Sequence, residues 1–466
     1  MKFKTTLVLT AVFAVLLAVV LLFESKGRKD TAAKEKVDKL VELAAADVQR
    51  IDLKKMDGMI SFAKDDKGAW RITAPLEARA DASEVEALLS SFATLRFDRV
   101  VEETPGDLRT YEIPKEEVAL WVKGKDAPVR VLFGMENPLD KSLFAKRADD
   151  PRVVLLSSSL KSTLDKKVFD FREKSIFKFE PSDVKAFRVK AKDVSWEAAR
   201  EGDGWLLKSP PVSAVASKSK VEAILDALSS LKATEFLSED KKTVDLKAFG
   251  LEKPACQVTM SLPSASKEVV ISLGKDGAKF AAMSSETNKI IAFEGSLLGD
   301  LEKKVDELRE KKVSEFATWE AEKVLVRNGG FELAAAKEKV KDELRWLLQT
   351  PAKDAANEIK IEDFIRRIEG LEAAGFIDNP KSLAEYGLDR PAAEVKIWTK
   401  GNDGKVLETS LLVGTEDKTK KQVVVKNVKL DYLFRVDAAF LQDFPKEAKD
   451  WKAEAPKPES APDKKK

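Results

Sequence analysis

YGLDRP, residues 386–391, follows a helical-looking run and precedes an alternating one, AAEVKIWTKG. The same phrase stands at 249–254 as FGLEKP and, in worn form, at 111–116 as YEIPKE. Gly387 and Gly250 read as helix-ending residues, because glycine takes the left-handed conformation without a Cβ penalty. Leu388 and Leu251 then supply the hydrophobic contact that accompanies such a cap. Pro391 and Pro254 keep the helix from resuming. The first copy has Glu112 where glycine is expected, and its proline, Pro114, is displaced. That predicts a weaker or different cap.

Upstream of each phrase the chain repeats itself. Trp70, Trp205 and Trp346 are separated by 135 and 141 residues, and each is followed five residues later by proline: WRITAP, WLLKSP, WLLQTP. A polar loop then leads into SEVEALLSSFATL, SKVEAILDALSSL or KIEDFIRRIEGL. Apolar residues there recur at three- and four-residue spacing, the pattern of a helix with one buried face. The runs close on Leu95, Leu231 and Leu371, at 25, 26 and 25 residues past their tryptophans.

Downstream, each copy alternates like a pair of strands around a polar turn. These pairs end at Gly134, Gly274 and Gly414. A second hairpin follows: SLFAKRADDPRVVLLS, KFAAMSSETNKIIAFE or KQVVVKNVKLDYLFRV. Further strand candidates, such as VQRIDL and GMISFAK, precede the tryptophans. The chain therefore divides into repeat modules over 47–175, 176–315 and 316–451. Each is α+β: a curved antiparallel sheet with helices packed on it. A period near 140 residues is a domain, not a small solenoid unit.

Composition excludes several chemistries. With 82 basic and 80 acidic residues the net charge is only +2, so no single-sign field attracts nucleic acid. The chain has no histidine, which removes the commonest general base and metal ligand. Its one cysteine, Cys256, lies in the alternating ACQVTMSL and reads as a packed core thiol. Phosphate-loop, dinucleotide and nucleophile-elbow motifs are absent from the sequence. The three repeat tryptophans, and Trp121 and Trp398, read as core. Asp65-Asp66 and Asp149-Asp150 read as solvated turns, and the Lys-Lys pairs at 166–167, 241–242 and 303–304 as a solvated face. No catalytic, cofactor-binding or metal-ligating residue is assigned.

Thr5 to Phe23 is 19 residues without a charge, about 28 Å of helix, which matches a bilayer core. It ends in LLFESK with no small-x-small cleavage site. Residues 1–24 are therefore expected to be an uncleaved transmembrane signal anchor, with the bulk of the chain outside the cytoplasm. Residues 25–46 read as a charged stalk, and 452–466, KAEAPKPESAPDKKK, as a disordered tail.

Anchor, W-x4-P, helix, Y-G-L-x-x-P and strand-Gly-hairpin together resemble the bacterial domain-of-unknown-function family 4340, three times over residues 47–451. The third copy matches best and the first departs most. Members of that family are membrane-anchored bacterial proteins without assigned chemistry. They accompany permease and ABC-transporter-like components related to gliding motility. The resemblance implies a non-enzymatic periplasmic subunit on the inner membrane, partnered by an ABC permease and its ATPase, with no cofactor. The alternative is a stand-alone binding module for cell-wall glycan, peptide or lipid. A hydrolase using carboxylates alone is the third reading, with no pocket signature to favour it.

Overall fold

The computed structural model describes residues 39–209, 212–263, 265–277, 279–401 and 404–454. The expected anchor over 1–24, the stalk up to residue 38 and the tail from 455 lie outside the described residues. Among the described residues no helix is long and apolar enough to cross a membrane. The described residues form two compact units, divided between Lys174 and Ser175.

The first unit holds one nine-stranded antiparallel sheet. Its strands are β1 (Val48–Lys55), β2 (Gly58–Lys64), β3 (Trp70–Ala74), β4 (Ala78–Arg79), β5 (Phe97–Glu102), β6 (Glu116–Val122), β7 (Val129–Glu136), β8 (Leu143–Arg147) and β9 (Val153–Leu156). They lie in the order β4-β3-β2-β1-β6-β7-β8-β9-β5. A long helix, α1 (Ala82–Ala93), connects β4 to β5 at the opposite edge of the sheet. A short one, α2 (Leu160–Leu164), follows β9.

The second unit contains two more sheets of the same order. The second module has β10 (Ala186–Ala191), β11 (Ser195–Glu201), β12 (Gly204–Ser209), β13 (Val212–Val215), α3 (Lys218–Ser229) and β14 (Glu235–Ser238). It continues with β15 (Cys256–Ser261), β16 (Val269–Asp276), β17 (Lys279–Ser284), β18 (Ile290–Phe293), α4 (Leu297–Leu301) and α5 (Val305–Leu308). The third has β19 (Ala321–Asn328), β20 (Phe331–Val340), β21 (Glu343–Thr350), β22 (Asp354–Ala355), α6 (Glu358–Glu369) and β23 (Gly375–Ile377). It closes with β24 (Ala393–Lys400), β25 (Val406–Asp417), β26 (Gln422–Asn427) and β27 (Leu433–Asp437). Each sheet draws all its strands from one repeat, so the modules are α+β with antiparallel sheets.

The helix spacing seen in the sequence is the buried face. Val85, Leu88, Leu89 and Phe92 of α1 are buried, as are Val221, Ile224, Leu225 and Leu228 of α3 and Ile361, Phe364, Ile365 and Ile368 of α6. Asp81 and Asn357 cap α1 and α6 by accepting backbone N–H groups of their first turns. Trp70, Trp205 and Trp346 begin or enter the third strand of each module and are buried in its core.

The glycines that end each first hairpin explain the opening phrase. Each phrase begins on the last residue of a short 3-10 turn, Leu108–Tyr111, Leu246–Phe249 or Leu383–Tyr386. The carbonyl of its aromatic residue lies directly over the strand glycine. A Cβ at Gly134, Gly274 or Gly414 would overlap the backbone oxygen of Tyr111, Phe249 or Tyr386. Past the turn, Gly250 and Gly387 are left-handed, at φ 64° and 67°. Leu251 and Leu388 then bury in small satellite clusters. The expectation of a different first cap is corrected here. Glu112 takes the same left-handed geometry, φ 55°, and the same hydrogen bonds form, Glu112 to Arg109 and Ile113 to Leu108.

Other expectations need correction too. Trp121 and Trp398 are half-exposed, because strand alternation sends Leu120, Val122, Ile397 and Thr399 inward and the tryptophans outward. Arg50 and Lys323 cover their rings at 4.6 Å each. Residues 39–46 do not stand off as a stalk: Leu40 and Val41 are buried in the first core, and Lys39 bridges Arg96. The start of the tail is held as well, with Lys452 bridging Ala356 and ion-paired to Asp354 at 2.5 Å. Asp150 is not merely solvated. Its fork with Arg152, 2.8 Å, holds its carboxyl down at about 2. Lys241 is half-buried and donates to the carbonyls of Ser284 and Thr287.

Within the second unit the two modules are stitched by Arg309 to Val313. Glu310 donates to Val215 of the second module, while Ala373 donates to Lys311 and Val313 to Leu371 of the third. Arg309 is fully buried, 3.8 Å from the Phe376 ring and 4.5 Å from that of Tyr432, with Nη1 2.9 Å from Asp378. Ala214 of the second module is counted in the core of the third.

Candidate functional site

Two surface features depart from the repeated scaffold. The first lies at one end of the first sheet. The β1–β2 turn, Lys55 to Gly58, presents Met56, and Met59 follows it on β2; the two are 78% and 44% exposed. The turn borders a cavity of 440 Å³. Ile60, Pro75, Val168 and Phe169 form its apolar wall, and Lys55, Glu116 and Asp165 its polar one. Lys55 donates to the carbonyl of Lys166 at 2.5 Å. Burial lowers its pKa, opposed by Glu116, Asp57 and Asp165. Asp165 is itself paired with Lys161 at 2.8 Å. The β7–β8 turn reaches the same end of the sheet and carries Leu139, 93% exposed.

The second feature is one end of the third sheet. Corresponding pairs show how it is built. Between Lys337 and its partner Trp346 lie eight residues, against four between Arg200 and Trp205 and five between Lys64 and Trp70. Between Ile397 and its partner Thr409 lie eleven, against eight between Met260 and Val269 and eight between Leu120 and Val129. Both long hairpins point the same way, since Ala321 at the start of β19 pairs with Thr399 near the end of β24, and Lys323 with Ala336 near the end of β20. Their tips carry Val340, Leu344, Val406 and Leu407. Trp319, in the 3-10 turn before β19, stands between them. These side chains are 38%, 67%, 57%, 58% and 79% exposed, whereas no large hydrophobic residue of the second module is comparably open among the described residues.

Among the described residues no three His, Cys, Asp or Glu side chains converge to hold a metal ion. Cys256 is buried, and desolvation pushes its thiol up to about 12. A neutral thiol in that setting is not a nucleophile at ordinary pH. The sequence reading named no site residues. The methionine turn and the long hairpins escaped it, although a comparison of hairpin lengths between copies would have found the latter.

Residues 70–244, 209–381 and 346–463 each match one family model, Domain of unknown function (DUF4340). The chain belongs to the DUF4340 family. Two of the three DUF4340 matches open on a repeat tryptophan and the other four residues after one, so the family pattern and the internal repeat are the same object. No curated protein matches the sequence. Among solved structures, a ligand-bound DNA polymerase sliding clamp from Pseudomonas aeruginosa is 8% identical, over 86% of this chain and 93% of that chain, at a TM-score of 0.16. A putative DNA polymerase III beta subunit from Eubacterium rectale is 10% identical, over 85% and 92%, at a TM-score of 0.15. Likeness at that level carries no argument about this DUF4340 chain.

Proposed function

We propose that this chain is a non-enzymatic, membrane-anchored extracytoplasmic interaction protein of the inner membrane. Its role is that of an auxiliary periplasmic subunit of an ABC-type transporter or gliding-motility-like envelope complex. The observation that carries the reading is the methionine-lipped groove of the first module. Exposed methionines are adaptable apolar contacts, suited to docking another protein's side chains. The groove is small and of mixed polarity, which favours a protruding loop or helix end over a large rigid ligand. The first module is also the one that follows the apolar Thr5–Phe23 segment, so a partner embedded in the same membrane would meet it first.

The test is crosslinking of the full chain in its own cells, followed by mild-detergent purification and mass spectrometry. Recovery of a polytopic permease with its ATPase supports the proposal. Recovery of the chain alone, or of cell-wall fragments, overturns it.

A further inference from the structure

We infer that the two long hairpins of the third module and Trp319 form a lipid-contact site that rests on a bilayer surface. By register, Leu344, Trp319 and Leu407 lie within about two residues of one another along the strand direction, roughly 7 Å. From β21 to β25 there are four strand spacings, about 19 Å across. This is a protruding edge with separate tips, not a pocket. A convex row of aliphatic side chains around a tryptophan fits a deformable acyl and headgroup boundary, where tryptophan is favoured.

The charges suit the same occupant. Every acid on the β20–β21 hairpin has a cation beside it: Glu332 with Arg327 at 2.7 Å, Glu338 with Lys353 at 2.6 Å, Asp342 with Lys339 at 2.9 Å and Glu343 with Arg345 at 2.7 Å. Paired acids add little repulsion against headgroups. Lys341 and Lys400, both exposed, flank the tips where long stems can reach past apolar contacts to phosphate. Over residues 318–320, 337–346 and 398–409 six basic residues stand against six acidic ones, so a zwitterionic surface suffices and a polyanion is not required. The site rests on the membrane-anchored reading in one respect: a tether through Thr5–Phe23 would keep the bilayer at high effective concentration, so weak insertion is enough.

The experiment uses the full chain reconstituted in phosphatidylcholine vesicles, with nitroxide labels at Leu344→Cys or Leu407→Cys. A label at Asp203→Cys, on the short hairpin of the second module, is the control. All three positions are exposed, so the substitutions leave the cores intact. Collision with oxygen, which concentrates in lipid, is compared with collision with a water-soluble nickel chelate. The proposal expects oxygen to dominate at 344 and 407 and nickel at 203. Nickel dominating at all three positions overturns it. Shielding of 344 and 407 from both reagents also overturns it, because that result means a protein surface covers the hairpins. The vesicles contain no partner, so failure to find a permease in cells would not change this outcome.

Discussion

Replacing Gly414 by alanine should destabilise the third module by about 3 kcal/mol. The new Cβ would sit inside 3.0 Å of the Tyr386 carbonyl oxygen, with the carbonyl carbon at 3.2 Å and the Val424 oxygen at 3.3 Å. All three obstacles are backbone atoms, so no side chain can swing away. Either β25 or the Leu383–Tyr386 turn must move, and the turn is held by the Leu388 contact with Val424 and Leu433. Overpacking of a well-packed site typically costs about 1–3 kcal/mol, and fixed backbone puts this case at the upper end. At roughly 2–4 °C per kcal/mol, the midpoint should fall by about 6–12 °C. Thermal unfolding followed by circular dichroism measures it. Gly375→Ala in the same module is the control, since the nearest atom to its new Cβ is Arg435 Cδ at 3.9 Å. If Gly414→Ala unfolds together with the control, the turn does not lie over the strand as described.

Three further outcomes are expected. Glu112→Gly should stabilise the first module by about 1 kcal/mol, because it relieves a left-handed non-glycine residue at φ 55°; an unchanged or lower midpoint would contradict this. Trp346→Ala should cost about 3–5 kcal/mol, and Trp346→Phe clearly less, since the buried indole N–H has no hydrogen-bond partner; equal losses in the two denaturation curves would show that the N–H matters. Cys256 should resist a thiol reagent at about pH 8 in the native protein and react fully once unfolded. Its thiol is raised from 9.0 to about 12 on folding, so its contribution to stability is present below 9.0 and is lost as pH rises through 12. Rapid native labelling would refute that burial.

The repeat was legible because each copy needs the same physical devices. A helix must bury one face, so Val221, Ile224, Leu225 and Leu228 recur in kind as Ile361, Phe364, Ile365 and Ile368. A turn crossing a strand needs glycine below it, which marks Gly134, Gly274 and Gly414. What was missed follows from looking at residue type before position. Trp398 is large and apolar, but period-two alternation places it outside, with its indole N–H donating to Glu408 at 3.1 Å. Leu40 and Val41 lie within the charged sequence that reads as a stalk, and the bridge from Lys39 to Arg96 and the Leu40 hydrogen bonds to Leu95 and Arg147 bring them onto the first core. Glu112 hid a cap that the backbone still makes. The groove beside Met56 joins residues about 110 positions apart, Lys55 and Lys166 among them, and no local pattern announces such a meeting.

The proposed role is tested most directly by site-specific photo-crosslinking of the full chain in cells, with a photoreactive residue at Met56 or Met59 and a control at Lys67, on an exposed turn of the same module. A polytopic membrane protein captured at 56 and 59 and not at 67 is the result this account predicts. Equal capture at all three positions, or none at 56 and 59, would contradict it.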